Sequence, residues 1–465
     1  MGVPRNLETQ TATDRYLSKL VEYVATRGVS STGEGIAETV HYLVHLMDDL
    51  GFDTQVFQTS ENPIVFASLG PDDARCTLLS YGHYDVFPVD AQDGWRTDPF
   101  TAAVAGDRVW GRGTGDNKGQ HLAWLFGLAD LAGEPGDLPV KVKIVIEGGE
   151  ETGSAGLAQF VREHRDLLSA DLCCYSDGPL FPDDQPVLLL GVRGILCLEL
   201  VTRGASRALH SGNFGGVAPN PVTELTHCLA SIADVTGTLT VPGLEPDPTR
   251  LERDRPYLER LPLDLQGVER TLGTAPISGG DPVQYWSNLI SRSHLNISGF
   301  AAGYCGEGVR TTIPAEARAK VDIRLVGEQD PDQVYAAISE HVRRSGFSRT
   351  TVTRLVAQPS SRTEPSHPLV GLVKRAVEDA FGRPAMVVPS LGATTPDYLF
   401  TRVLGVPSVV VPLAPADQSN HGPNESCKVS LALAGTRFVR ALAVELAQAS
   451  GTTRSEPASM EGRNR

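Results

Sequence analysis

Leu78-Leu79-Ser80-Tyr81-Gly82-His83-Tyr84-Asp85 is an apolar run that ends in a His-x-Asp. Buried strands of this kind occur in α/β sheets, and ligands bind such sheets where the strands end. Further apolar runs of strand length lie at 64–68, 142–146 and 172–175. Helical spacing of apolar residues separates several of them, at 118–131 and 155–168, after two amphipathic helices carried by Tyr16, Leu17, Leu20, Val21, Val24 and by Ile36, Val40, Leu43, Leu46, Met47. Strands alternating with helices predict an α/β domain with a mixed, largely parallel sheet between two helical layers.

The pattern changes near Gly191. A strand is expected at 196–202, a helix at 221–233, strands at 295–300 and 317–325, and a helix at 332–344. The stretch from 234 to 294 is rich in Pro, Asp, Glu and Arg and reads as an insertion. From 368 the α/β character returns, with a helix at 369–380, a strand at 406–411 and a last helix at 431–449. The expected organisation is a catalytic domain over 1–192 and 361–449, interrupted by a smaller α+β domain over 193–360, with a disordered tail at 450–465.

Composition excludes several classes. A chain of 465 residues with a formal charge of −15 is an unsuitable partner for nucleic acid or an anionic membrane. The seven cysteines are scattered without a CxxC pair, which fits neither a disulfide framework nor a thiolate zinc site. The first residues carry no apolar signal segment, and no run is long enough to span a membrane. A soluble, cytoplasmic protein is expected.

Acids and histidines recur after the strands. His83 can bind a metal through one ring nitrogen while Asp85 fixes the other, although a lone His-x-Asp is often structural. Asp116 sits in the glycine-rich Gly111–Gly119 segment at the entry to a helix, where it is either a ligand or an N-cap. Glu150 and Glu151 are adjacent after a strand; adjacent buried acids need a cation nearby or separate tasks, such as one ligand and one general base. Asp177 follows another strand, and His421 lies in a polar turn late in the chain. Two histidines and three carboxylates, with a glutamate to spare, suit two divalent metals about 3.5–4 Å apart sharing a carboxylate. Imidazole with carboxylate favours zinc, manganese or cobalt.

The ordered motifs YGHYDVFP, GRGTGDNKG, EGGEETGS, SDGP, HSGNFGG and NHGPNE resemble the M20 family of metallopeptidases, in particular its carnosinase-like and cysteinylglycine dipeptidase-like branch. The resemblance implies that His83 and Asp177 hold one metal, Glu151 and His421 the other, and that Asp116 bridges them. It implies Glu150 as general base, Asp85 as the residue orienting His83, and a cis peptide at Asp116–Asn117. The interrupting domain would be a lid through which two copies dimerise. His210 would reach the partner copy's site to stabilise the oxyanion, while Thr311, Arg324 and Thr394 would contact substrate. Arg324 suits a carboxylate, because its guanidinium offers a fork of donors; without the resemblance a strand-surface salt bridge would be the better explanation.

One departure bears on substrate. Where this branch usually carries an Arg-Glu-Gly-Gly-Ser-Ile-Pro-like loop, this chain has Ser390-Leu391-Gly392-Ala393-Thr394-Thr395-Pro396. The expected activity is hydrolysis of an amide in a dipeptide or small peptide-like substrate with a free carboxylate. N-acyl or N-carbamoyl amino acids, or a specialised peptide or thiol conjugate, are the alternative substrates, and a non-catalytic binding protein on the same scaffold is the rival of another class.

Overall fold

The computed structural model describes residues 5–90, 92–132, 138 and 140–452. The chain forms two compact units. The first contains everything described up to Leu190, Thr363–Val387 and everything described from Leu399; the second contains Gly191–Arg362 and Val388–Tyr398.

The first unit is built on an eight-stranded sheet, in the order Asp53–Phe57, Ile64–Leu69, Lys141–Glu147, Thr77–His83, Leu172–Tyr175, Ser408–Val410, Val187–Leu189 and Met386–Val388. The four central strands, Lys141–Glu147 through Ser408–Val410, run parallel, and antiparallel pairs flank them. Alternation along each strand sends side chains to opposite faces. Leu78, Val142, Ile144, Leu172 and Cys174 point into one core with the helices Lys118–Ala132, Pro368–Phe381 and Val429–Thr452. On the other face Tyr81 packs edge-on against Tyr175 and tilts against Phe400. The helix starting at Lys118 is buried on all sides through Leu128, as expected for a helix between a sheet and other helices.

The second unit holds a four-stranded antiparallel sheet, ordered His294–Ala302, Glu316–Leu325, Gly194–Arg203, Thr350–Gln358. One face is apolar, with Leu196, Leu198, Leu200, Ala319, Val321 and Ile323 packed against the helices Pro221–Ile232 and Pro331–Arg344. The opposite face carries polar residues, among them Asp322, Arg324 and His294. The Thr350–Gln358 strand escaped the sequence reading because it is an edge strand with mostly exposed side chains.

Two sequence expectations need correction. Residues 388–398, expected within the returning catalytic segment, belong to the second unit. They are held there by main-chain bonds between Leu391 and Gly191 and by the Arg193 guanidinium, whose Nε donates to the Gly392 carbonyl at 2.8 Å. Single bridges of this kind leave no periodicity to read. Within the insertion from 234 to 294, the short helices Pro248–Leu258, Leu265–Leu272 and Pro282–Trp286 each follow an aspartate N-cap, at Asp247, Asp264 and Asp281. Two of these are Asp-Pro pairs, which cap a helix and open it at once. Finally, the last helix continues through Thr452, past the expected start of the tail; the rest of that tail, 453–465, lies outside the described residues. None of the seven cysteines is joined in a disulfide among the described residues. Among the described residues, no helix is long and apolar enough to cross a membrane.

Candidate metal centre

The C-terminal ends of three adjacent parallel strands converge in the first unit. Thr77–His83 ends on His83; Lys141–Glu147 leads through two glycines to Glu150 and Glu151; Leu172–Tyr175 leads to Asp177. Asp116 stands just before the buried helix, and the Asp116–Asn117 peptide is cis. His421 arrives from the loop between Ser408–Val410 and Ser426–Lys428, at a positive φ of 59°.

These side chains form two overlapping groups. His83, Asp116 and Asp177 each offer a donor atom within 4.8 Å of the others, and so do Asp116, Glu151 and His421. Asp116 is common to both. One of its oxygens lies 3.1 Å from His83 Nε2, and the other lies 3.4 Å from His421 Nε2, which is itself 3.0 Å from Glu151. The His421 ring stacks on Phe87 at 4.4 Å, which sets the plane of its imidazole.

Asp85 does more than the sequence indicated. The Nδ1 of His83 lies 3.0 Å from the main-chain carbonyl of Asp85 and 3.5 Å from its carboxylate. The carboxylate is spent on the next strand's loop: it accepts the N–H groups of Glu150 and Glu151 at 3.2 and 3.1 Å. One buried acid thus sets both the His83 ring and the glutamate turn.

The electrostatics indicate a cation-binding centre. With Nδ1 donating to a carbonyl, Nε2 of His83 presents a lone pair to a carboxylate, an arrangement that only a proton or a metal ion between them stabilises. Burial would lower the His83 pKa, but hydrogen bonds to Asp116 and Asp85 outweigh it and hold the ring well above the usual histidine range. Hydrogen bonds to Asp116 and Glu151 push His421 up to about 10. Burial, reinforced by neighbouring acids, raises Glu150 well above the carboxylate range and Asp177 to about 6. Asp116 goes the other way, held low by His421 and His83 despite its burial. The Oε1 atom of Glu151 is buried with no hydrogen-bond partner among the described residues. Two imidazoles, four clustered acids and an orphaned carboxylate oxygen fit a pair of divalent cations.

Two supporting residues were not singled out from the sequence. Glu425 is fully buried and binds Arg112 at 2.7 Å, together with the N–H groups of Gly113, Gly115 and Asp116. Glu147 accepts the hydroxyls of Tyr81 and Ser154 beneath the glutamate turn. An acid at the close of a strand and one beyond a candidate ligand were the only signals available for either.

The other expected site residues lie in the second unit. His210 and Thr311 are neighbours on an exposed two-stranded turn, with His210 Nε2 3.4 Å from the Thr311 hydroxyl. Arg324 donates to the Thr394 hydroxyl at 3.0 Å, with Asp322 a looser partner at 3.9 Å. Arg193 lies alongside, tied to Gly392 and 3.3 Å from His294 Nδ1.

A strand-end cluster of imidazoles and carboxylates, grouped around one shared aspartate, defines a metallohydrolase-type centre on an α/β scaffold. Residues 79–445 match Peptidase family M20/M25/M40, and the chain belongs to that family of metallopeptidases. It is 28% identical to a Beta-Ala-His dipeptidase of Rattus norvegicus over 395 residues, covering 83% of this chain and 80% of the relative. It is likewise 28% identical to a Cys-Gly metallodipeptidase of Schizosaccharomyces pombe, covering 83% of each. Among solved structures, an M20 family metallo-carboxypeptidase from Sulfolobus solfataricus superposes with a TM-score of 0.80 at 29% identity, over 93% of this chain and 99% of that one. Human carnosine dipeptidase 1 gives 0.72 at 25%, over 96% and 100%.

Proposed function

We propose that this protein is a binuclear metal-dependent amide hydrolase that cleaves a dipeptide or small peptide-like substrate bearing a free carboxylate. The observation that carries this reading is Asp116, shared by two ligand groups, beside a glutamate pair of which only Glu151 joins a group. In this reading His83 and Asp177 would hold one ion and Glu151 and His421 the other, with Asp116 available to both. Zinc best suits the donor set, with manganese or cobalt as substitutes. When bound, the ions would acidify water and polarise the scissile carbonyl.

The residues of the chain do the rest. Glu150, held by the Asp85 carboxylate through its N–H, takes the proton of the attacking water and returns it to the leaving amine. Arg324, oriented by Thr394, binds the substrate carboxylate. His210, close to Thr311, stabilises the oxyanion in a partner copy's site, which makes the working form a homodimer. The dipeptidase names of the relatives support the substrate class, and a cytoplasmic location accords with it.

A second reading, hydrolysis of N-acyl or N-carbamoyl amino acids, is favoured by the Ser390–Thr395 segment. It offers hydroxyls and carbonyls but no carboxylate to meet a substrate ammonium. The deciding experiment strips the protein of metal, adds back zinc, manganese or cobalt, and assays dipeptides against N-acetyl and N-carbamoyl amino acids. Metal-restored cleavage of dipeptides supports the first reading, and preference for the acylated set supports the second. No cleavage by metal-loaded protein would overturn both.

A further inference from the structure

A cavity of about 510 Å³ opens in the second unit. The helix Leu265–Leu272, the residues that follow it and the segment ending at His294 line it. Its volume is that of a small-molecule pocket. The wall is mainly apolar, with Leu272, Ile277, Tyr285 and Leu289, and two of these side chains are strongly exposed: Leu272 at 53% and Ile277 at 75%. Buried polar atoms face no partner among the described residues, namely Arg292 Nε and Ser278 Oγ. Apolar side chains left in water beside unpaired donors are the marks of a surface that receives a ligand.

What places the cavity in the reaction is His294. It lines the cavity, and it is the cross-strand partner of Arg324 in the antiparallel sheet. Side chains so paired stand roughly 5 Å apart on one face. The Arg193 guanidinium, 3.3 Å from His294 Nδ1, also binds the Gly392 carbonyl, and a Cβ added at Gly392 would lie 3.4 Å from Leu289 of the cavity wall. The Arg324–Thr394 pair and the cavity therefore share a boundary made of His294, Arg193 and Leu289.

We propose that this cavity is the specificity pocket for the side chain of the substrate's carboxylate-bearing residue, and that it takes a bulky, largely apolar group whose tip can accept a hydrogen bond from Arg292. The proposal rests on the reading of Arg324 as the carboxylate anchor. A carboxylate held there leaves its own side chain beside His294, at the mouth of the cavity.

The test uses Ala-Gly, Ala-Leu, Ala-Phe and Ala-Tyr, their N-acetyl-amino-acid counterparts, and the C-terminal amide of each dipeptide, with metal-loaded full-length protein. The expected result is kcat/KM at least about tenfold higher for Phe and Tyr than for Gly, the discrimination that an apolar pocket gives. Placing a charge on the exposed wall in Leu272→Asp, or filling the space in Asn288→Trp, should cut that ratio at least fivefold in protein of unchanged melting temperature. A ratio near one in the wild type, or one unmoved in both variants, overturns the pocket. If amides are cleaved as well as free acids, the carboxylate anchor falls instead. Should nothing be cleaved, calorimetric binding of N-acetylphenylalanine against N-acetylglycine decides independently: equal affinity, or no binding of either, rejects the pocket.

Discussion

The carboxylate of Glu425 accepts the main-chain N–H of Asp116 at 2.9 Å, across 309 positions of sequence. The same carboxylate holds Gly113, Gly115 and the buried guanidinium of Arg112. Glu425 shares its loop with His421, so this one buried acid fastens the loop bearing one proposed ligand to the loop bearing the bridging one. Replacement by glutamine turns an acceptor-only group into one that confronts N–H donors with N–H donors. Glu425→Gln should therefore weaken metal binding about 10- to 100-fold, as loss of an outer-shell partner does. Competition with a fluorescent chelator on folded protein measures it; unchanged affinity would remove Glu425 from the support of the centre. Glu425→Ala should also cost about 3–5 kcal/mol of stability, because it strands a buried arginine.

The adjacent glutamates should separate cleanly. Glu151 is 3.0 Å from His421 and shares a ligand group with it, whereas Glu150 belongs to neither group. Glu150→Gln is expected to lower kcat by about 10²-fold or more with metal content retained. Glu151→Gln should lose metal first and activity as a consequence, recovering some of it at high metal concentration. Metal stoichiometry measured beside single-turnover rates distinguishes the two; equal metal loss in both would contradict the division of labour.

Much of the first unit was legible because its chemistry follows its periodicity. His83, the Glu150–Glu151 pair and Asp177 come directly after apolar strands, so strand ends and candidate ligands were found together. What escaped was fixed by contacts distant in sequence. Glu425 is one more acid in a polar turn until Gly113 and Asp116 are seen around it. The same holds for Asp85, whose carboxylate was expected to serve His83 but mainly caps the glutamate turn. Residues 388–398 join the second unit through Arg193 and a single strand bridge, neither of which has a period. The stretch from 234 to 294 reads only as an insertion rich in Pro, Asp, Glu and Arg, because helices such as Pro248–Leu258 and Pro282–Trp286 have little apolar face of their own.

Glu147 makes stability depend on pH in a definite direction. Burial, with the charge of Asp85 next, raises its pKa to about 8, while Tyr81 and Ser154 both donate to it. The unfolded chain releases this proton near 4.5, the ordinary value. Between about 4.5 and 8 the folded state thus binds more protons, and stability falls as pH rises through that window. Glu147→Gln keeps an oxygen for both hydroxyls and has no proton to lose. In metal-stripped protein the variant and wild type should melt alike near the bottom of that window, with the variant gaining on wild type by about 1 kcal/mol or more towards its top. Melting curves across that range check the sign; a variant that loses ground with rising pH contradicts it.

The last prediction concerns the helices of the long insertion. Asp254, on Pro248–Leu258, is fully buried and ion-paired with Arg362 at 2.7 Å. It also accepts the Ser291 hydroxyl at 2.8 Å, and Arg250 stands 3.9 Å away. Arg362 lies beyond the end of the sheet and Ser291 in the turn before its His294–Ala302 strand, so one carboxylate gathers three separate segments of the second unit. Truncation removes an ion-pair partner shared by these two buried guanidinium groups. Asp254→Ala should destabilise the unit by about 3–5 kcal/mol, whereas Asp254→Asn, which keeps an acceptor for Arg362, should lose less. If the pair matters only to the second unit, the variants should still bind metal in the first at the wild-type stoichiometry under conditions where both remain folded. Denaturant unfolding read beside metal content tests both halves, and an Asp254→Ala protein as stable as wild type would show that the insertion is held by its apolar contacts alone.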